Sequence, residues 1–269
     1  MKNILKKLRH KLSSKNNPIF IGFYKYIYSP PKNSLPELLD HLSKLSHQIT
    51  VIQIGANDGI TNDPIHKFIK RDNWNGILLE PQKGLLAALQ KLYAKNQGIK
   101  IMNAALGSED GFSNLYKVGF SNARWATGLA TFNKALLENS IENGHIKKYA
   151  TLNNIKIPTD KNKQIIKEKI QVISTDSLLK SNAISHLDLL QIDAEGYDYE
   201  LIKLFLQNSF KIKPRVIIYE HCHLSEEDHE KCKRYLINNN YITKQFCGDT
   251  AALLKSNKPY FHSLKILLN

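Results

Sequence analysis

From Thr50 onward the chain alternates short apolar runs with stretches of helical periodicity. The runs at 50–54 (T-V-I-Q-I), 76–80 (G-I-L-L-E), 99–103 (I-K-I-M-N), 187–192 (L-D-L-L-Q-I) and 215–220 (R-V-I-I-Y-E) lack strict apolar/polar alternation. That is the pattern of strands buried on both faces of a parallel sheet. Helical patterns fall between them at 64–71, 83–96, 197–207 and 225–238, the last capped by Ser225-Glu226-Glu227-Asp228. Repeated strand–helix alternation predicts a doubly wound α/β sheet. Residues 241–254 read as two strands joined at Cys247-Gly248-Asp249. Upstream, Ser34-Leu35-Pro36-Glu37 is a capping-box pattern, and Leu35, Leu38, Leu39, Leu42 and Leu45 follow on one helical face. The main domain therefore spans 34–269.

Residues 112–170 interrupt the alternation. A probable edge strand from Phe112 to Val118 leads into a polar stretch from Gly119 to Lys169. Insertions of that length in α/β domains are often lids or substrate-binding elements; a mobile surface excursion is the other reading. Residues 1–33 form an arm. Ile4, Leu5, Leu8 and Leu12 fall at helical spacing among Lys and Arg, and 19–28 (I-F-I-G-F-Y-K-Y-I-Y) is strongly aromatic. Two readings stand: a helix packed on the domain with its Lys face in water, or a basic amphipathic helix with aromatic anchors on an anionic membrane face, through residues 1–28. Gly22 and Lys25 interrupt the apolar stretch and no small-residue cleavage site follows, so it is not a signal peptide. A spanning helix needs roughly 20 apolar residues in a row, and the longest run here is Leu85 to Leu89.

Composition adds limits. Apolar residues are 42% and charged residues 23% of the 269, which excludes a wholly disordered chain. Cys222, Cys232 and Cys247 are too few, and odd in number, for a disulfide framework, so a reducing, cytoplasmic setting is expected. The net charge is +14, and the first 36 residues hold eight basic side chains and no acid. Such an arm favours anionic partners: a membrane surface, nucleic acid or an acidic glycan.

Ligands of an open α/β sheet bind beyond the carboxyl ends of its strands. After the first strand comes Gly55-Ala56-Asn57-Asp58-Gly59, whose glycines let the backbone turn tightly and approach a ligand. It is G-x-x-x-G, neither the dinucleotide fingerprint nor a Walker loop. The second strand ends in Glu80, 25 residues after Gly55. An acid there accepts hydrogen bonds from ribose hydroxyls. Asn103 and Ala104 follow the third strand, where an amide pairs with an adenine edge or forms a turn. The fourth and fifth strands end in Asp193-Ala194-Glu195 and Glu220-His221-Cys222-His223, gathering acids and histidines on one rim for proton transfer or metal binding. A zinc site from His221, Cys222, His223, His229 and Cys232 is disfavoured, because the cysteines are spaced too widely. In the insertion, Arg124 suits a carboxylate or phosphate and Trp125 suits a sugar face. Trp125 equally fits a buried anchor for the insertion.

Five segments, in this order, resemble the FkbM-type S-adenosylmethionine-dependent methyltransferases: V-I-Q-I-G-A-N-D-G (51–59), W-N-G-I-L-L-E-P (74–81), N-A-A-L-G (103–107), T-D-S-L-L (175–179) and L-D-L-L-Q-I-D-A-E-G-Y-D (187–198). The resemblance covers about residues 48–254. It implies the seven-stranded class I methyltransferase sheet, Rossmann-like, with the last strand antiparallel. It implies that Gly55, Asn57, Asp58 and Gly59 line the methionine part of S-adenosyl-L-methionine, that Glu80 binds ribose, and that Asn103 and Ala104 border adenine. Asp193 would lie near the methionine amino group or the transferred methyl. Gln53 stands where many class I relatives have an acid, and Tyr197-Asp198 where many have a small residue and Glu.

The family resemblance points to hydroxyl methylation on sugars of glycans, glycolipids or related metabolites. A hydroxyl is a weak acid, so the reaction needs a base or a cation. His221 and His223 are the first candidates for that base, with Asp193 and Glu220 as alternatives; Mg²⁺ held by the acids is the other arrangement. Nucleic acid is the less favoured acceptor, because the fourth strand lacks the N/D-P-P-Y/F ending of base-methylating enzymes. A nicotinamide dehydrogenase is weakened by the missing third glycine. A non-catalytic module binding glycan or membrane is the reading from another class.

Overall fold

The computed structural model describes the backbone of residues 2–46 and 48–268 and the side chains of 8–46 and 48–268. The expected apolar positions Ile4 and Leu5 lie outside the described side chains. The elements in chain order begin with α1 (Lys2–Ser14), α2 (Pro18–Gly22, running into a π-helical turn Phe23–Ile27), α3 (Leu35–Leu45), β1 (Thr50–Ile54), α4 (His66–Asp72), β2 (Asn75–Leu79), α5 (Lys83–Tyr93) and β3 (Ile99–Met102). The middle of the chain forms β4 (Ala105–Gly107), β5 (Gly111–Val118), α6 (Arg124–Thr127), α7 (Lys134–Glu142), α8 (His145–Leu152), α9 (Lys161–Gln164), β6 (Ile165–Ser174) and α10 (Thr175–Ser181). Then come β7 (Leu189–Ile192), α11 (Asp198–Leu206), β8 (Val216–Glu220), α12 (Glu226–Asn238), β9 (Tyr241–Phe246), β10 (Asp249–Leu254) and α13 (Pro259–Leu268).

Seven strands form one sheet in the order β3-β2-β1-β7-β8-β10-β9. β1 pairs in parallel with β2 on one side and β7 on the other. β10 runs antiparallel between β8 and β9. Numbered within this sheet alone, the order is third, second, first, fourth, fifth, seventh, sixth, with only the seventh reversed. That is the class I methyltransferase topology. The runs without alternation are buried on both faces: Val51, Ile52, Leu189, Leu190, Ile217 and Ile218 are all fully enclosed. Each such side chain contributes about 1.5–3 kcal/mol relative to exposure. The two faces form separate apolar clusters, one under α3, α4 and α13, the other under α10, α11 and α12. Ser34 Oγ accepts from Glu37 N at 3.4 Å, so the expected N-cap forms, and Glu37 Oε2 accepts from Asn33 N, one residue before the cap, at 2.6 Å.

The expected edge strand is present as β5, while the stretch read as polar is built differently. β5 pairs with β6, and β4 with β6, in a second sheet of three strands ordered β4-β6-β5. Four short helices, α6 to α9, fill the segment read as polar. They close on their own small cluster of Val118, Ala126, Leu137 and Ile146. The sheet orders at least the ends of the excursion and aims α6 at the main sheet.

The arm contacts the body through α4 and α5. Ser13 Oγ bonds His66 Nε2 at 2.8 Å, both residues fully buried. Lys70 Nζ donates to Asn16 Oδ1 (2.9 Å), Leu92 O (2.5 Å) and Asn96 Oδ1 (2.7 Å). Burial lowers the Lys70 pKa to about 8. Among the described residues no helix is long and apolar enough to cross a membrane.

Candidate active site

The strand order reverses between β2 and β7, on either side of β1, so a crevice opens at the carboxyl ends of these strands. The loop after β1 sits there. Gly55 N and Ala56 N both donate to Leu79 O, at 3.1 and 3.0 Å, tying the loop to the end of β2. Gly55 has φ +83°, and a Cβ on it would stand 1.9 Å from the carbonyl oxygen of Asp193. Only glycine lets the ends of β1 and β7 approach so closely. Asn57 also lies in the left-handed region, at φ +46°.

Glu80 is 2% exposed and lines the cleft. Its Oε2 accepts from Asn57 N at 2.7 Å and its Oε1 from Gln82 N at 2.8 Å. Burial raises its pKa to about 6, against the lowering effect of these two backbone donors and of Arg124. Ala104 lines the cleft with Pro81 and Leu106. Asn103 does not line it. Its amide donates to Glu80 O (2.8 Å) and Pro81 O (3.0 Å), so it holds the end of β2 in place. Asp58 and Gly59 also turn from the cleft. Asp58 accepts from Ile60 N and Thr61 N, and Gly59 packs against Leu89, Leu92 and Tyr93 of α5. Gln53 Nε2 donates to Asp63 Oδ2 at 3.0 Å.

The insertion roofs the cleft through α6. Thr127 Oγ1 donates to Asn57 Oδ1 (3.2 Å), and Gln82 Nε2 donates to Thr127 O (3.0 Å). Arg124 lines the cleft, its Nη2 3.8 Å from Asp193 Oδ2 and its buried Nε without a protein partner. Trp125, its neighbour, faces the other way. It stacks on Tyr149 at 6.0 Å and meets Phe120 at 6.3 Å, anchoring the insertion as the second of its two readings had it.

The rim beyond β7 and β8 gathers the charge. Asp193 and Glu195 line the cleft, and oxygens of Asp193, Glu195 and Glu220 lie within 4.8 Å of one another. Glu195 is held at φ +51°, strained backbone of the kind that collects at functional sites. Asp198, fully buried, accepts from Gly196 N at 3.3 Å and steadies that turn. Burial and the neighbouring acids raise Asp193 to a pKa of about 7 and Glu195 to about 9. His223 stands beside them, its Nδ1 3.5 Å from Glu195 Oε2 and its Nε2 3.7 Å from Glu220 Oε2. His221 is elsewhere. It stacks on His229 at 4.5 Å and bonds Thr250 Oγ1 at 3.0 Å, so it serves the packing of α12 and β10. Cys232, fully buried in the core, takes no part in the cluster.

This cluster sets a pH dependence. A carboxyl whose pKa is higher folded than unfolded keeps its proton in the native state after the unfolded chain has lost it. Stability is then full below the unfolded pKa near 4.5 and falls as pH rises toward the folded value of about 9. Glu195→Gln removes that penalty. Denaturation curves should show the variant more stable than the parent by a few kcal/mol at pH 8, at most about 5, with the gap closing toward pH 5. A gap that stays constant with pH would contradict the cluster's electrostatics.

The family profile of the methyltransferase FkbM domain matches residues 53–243. The chain belongs to this family. A solved structure of methyltransferase FkbM from Methylobacillus flagellatus KT is 13% identical, covers 77% of this chain and 44% of its own, and superposes with a TM-score of 0.46. The present chain thus spans less than half of that FkbM protein. The METTL16 MTase domain is 11% identical over 81% of this chain and 65% of its own, TM-score 0.43. The Podospora anserina methyltransferase PaMTH1, bound to SAH, is 10% identical over 81% and 76%, TM-score 0.38. These distant likenesses carry no inference about the substrate. No curated protein matches the chain.

In this FkbM domain, the polar cleft-lining residues absent from the expected site include Gln82, Thr127 and Thr131. Glu195, inside the I-D-A-E-G element, lines the cleft among the rim acids read from the sequence. Thr127 lies three residues after Arg124, one helical turn on. Gln82 carries no sequence signal beyond following Glu80-Pro81.

Proposed function

We propose that the chain is an S-adenosylmethionine-dependent O-methyltransferase that methylates a sugar hydroxyl of a glycan, glycolipid or related metabolite. The observation that carries this reading is the double membership of Asp193. It lines the cleft and also belongs to the Asp193–Glu195–Glu220 group beside His223. An oxygen acceptor must lose a proton as its new bond forms, and these groups stand where that proton has to go.

The cleft fits the cofactor. Pro81, Ala104 and Leu106 offer an apolar wall for adenine, and Glu80 offers carboxylate lone pairs to the ribose diol. Arg124, whose Nε lacks a partner, would answer the methionine carboxylate, and Asp193 the ammonium. This takes Arg124 from the acceptor to the cofactor. Bound there, the group supplies a methyl on a positively charged sulfur, an activated leaving group, so much of the catalysis is positioning. His223 takes the hydroxyl proton, and the flanking Glu220 stabilises the charge it gains. Beyond Thr131 and Phe132, which line the cleft, a groove opens past Tyr116 and Tyr197. The Phe132 and Tyr197 rings lie 5.8 Å apart. Aromatic faces of this kind suit the apolar side of a sugar ring, which supports the sugar reading. Cys222, Cys232 and Cys247 are free, which supports a reducing, cytoplasmic setting.

The test is transfer of a labelled methyl group to a panel of sugars, glycolipids and RNA, with the methylated atom identified by NMR. His223→Ala should lower kcat about 100-fold while S-adenosylhomocysteine still binds, and His221→Ala should leave kcat near the parent value. Equal losses in the two variants would remove His223 from the role of base. Adding EDTA decides whether the three carboxylates work through protons alone or with Mg²⁺. Labelling of RNA and of no sugar would replace the acceptor class. Cofactor binding without turnover on any acceptor would return the non-catalytic reading.

A further inference from the structure

Residues 18–28 carry apolar side chains in two phases. Phe20, Tyr24 and Tyr28 recur at every fourth position and turn to the body. Phe20 is buried, its ring 5.0 Å from Tyr24 and 6.4 Å from His66, and Lys67 Nζ lies 5.1 Å over the Tyr28 ring. Ile19, Phe23, Tyr26 and Ile27 follow the other phase, and they are 82%, 45%, 78% and 73% exposed. Ile19 to Phe23, Phe23 to Tyr26 and Phe23 to Ile27 are spacings of three or four, which place them along one ridge. Scattered exposed apolar residues need no explanation, but four on one face of a short segment do.

The ridge is held rigidly. Asn17 Oδ1 accepts from Ile19 N (2.9 Å) and Phe20 N (3.3 Å), and Asn16 takes a bond from the buried Lys70. Along the arm the charge has one sign. Arg9, Lys11, Lys15, Lys25 and Lys32 are exposed, and no acid occurs before Glu37. A helix apolar all round is buried against something on every side. A second copy of this chain would bring the same positive charge to the contact. A nucleic acid would use the lysines and leave Ile19 and Ile27 in water.

We propose that this ridge is a docking surface for an anionic phospholipid bilayer. Ile19, Phe23, Tyr26 and Ile27 enter the boundary between headgroups and acyl chains, and the basic side chains meet the lipid phosphates. The lysine stems lie along the apolar surface while their ammonium groups stay at headgroup level. The inference does not depend on the acceptor or on the chemistry of the cleft.

The experiment is co-sedimentation of the full chain with vesicles of phosphatidylglycerol mixed with phosphatidylcholine, and with pure phosphatidylcholine. The expected result is binding to the first alone, weakened by added salt. An Ile19→Ser/Ile27→Ser double variant should bind at least about tenfold more weakly. Lys11→Gln/Lys15→Gln/Lys25→Gln should bind more weakly too. Both variants should keep the parent's thermal unfolding, since the substituted side chains face solvent. Failure to bind the anionic vesicles would overturn the proposal, as would unchanged binding by the double variant. So would self-association lost in the double variant without vesicle binding, which would assign the ridge to a second copy. Retention of RNA with no vesicle binding would assign the charge to nucleic acid.

Discussion

Gly55→Ala is expected to abolish S-adenosylhomocysteine binding and to cost the fold about 3 kcal/mol. Two effects add. Holding a non-glycine residue at the left-handed φ of +83° costs about 1–2 kcal/mol. The new Cβ would also stand 1.9 Å from Asp193 O, a distance no carbon–oxygen contact tolerates. The obstructing atom is backbone, so no side chain can swing aside. The ends of β1 and β7 must part, and the bond from Asp193 N to Ile54 O, 3.0 Å long, stretches or breaks. The cleft residues just after β7, Asp193 to Glu195, move with it. Denaturant unfolding and calorimetry measure the two losses. Gly84→Ala is the control. Nothing lies within 4 Å of a Cβ there, and the residue sits in α5. Alanine should leave binding intact and stabilise the helix by up to about 1 kcal/mol. Parent-like stability and affinity in Gly55→Ala would mean that the two strand ends are not where this structure has them.

Glu80→Ala should weaken S-adenosylhomocysteine binding at least about 100-fold. The carboxylate does two things. It accepts from Asn57 N and Gln82 N, both in a buried setting. Each donor left unpaired costs about 1–3 kcal/mol. It also lines the cleft as a buried carboxylate, where the proposed ribose contact needs an acceptor. The two parts separate in a double-mutant cycle that pairs Glu80→Ala with a cofactor analogue lacking the ribose hydroxyls. If Glu80 holds ribose, the parent loses affinity for the analogue and the variant loses no more. If Glu80 only shapes the loop, both proteins lose equally. Unchanged affinity of Glu80→Ala for S-adenosylhomocysteine itself would remove the physical centre of the cofactor reading.

The main sheet was legible because its strands are buried on both faces. Val51-Ile52, Leu189-Leu190 and Val216-Ile217-Ile218 are continuous apolar pairs and triples with no polar alternation to mask them. The second sheet was not legible. β6 reads I-I-K-E-K-I-Q-V-I-S, and its charged middle looks like solvent-facing helix or loop. It is a strand because Ile170, Val172 and Ile173 need cover, while Lys167, Lys169 and Gln171 alternate onto a side in water. The helices of the insertion were hidden for a related reason: their small cluster around Val118 and Leu137 asks for few apolar residues.

At the site, position along the chain was informative and side-chain direction was not. Gly55, Asn57, Glu80, Ala104 and Asp193 all line the cleft. Asn103, Asp58 and Gly59 come from the same loops and turn away, because local hydrogen bonds and the packing of α5 claim them first. The histidines illustrate the limit best. Two residues apart, His221 and His223 would share a face in a continuing strand. β8 ends at Glu220, the chain turns, and the two rings separate, one to Thr250 and His229, the other to Glu195 and Glu220. Nothing in the local pattern marks that turn. Trp125 and Arg124 diverge likewise on α6, one to the insertion's own core and one to the cleft.

Isothermal titration of the purified chain with S-adenosylhomocysteine, with NAD as the control, tests the central claim most directly. The cleft built by Gly55, Glu80, Ala104, Arg124 and Asp193 should bind S-adenosylhomocysteine in the micromolar range and leave NAD unbound. Binding of NAD in its place, or of neither ligand in the presence and absence of a sugar acceptor, would contradict it.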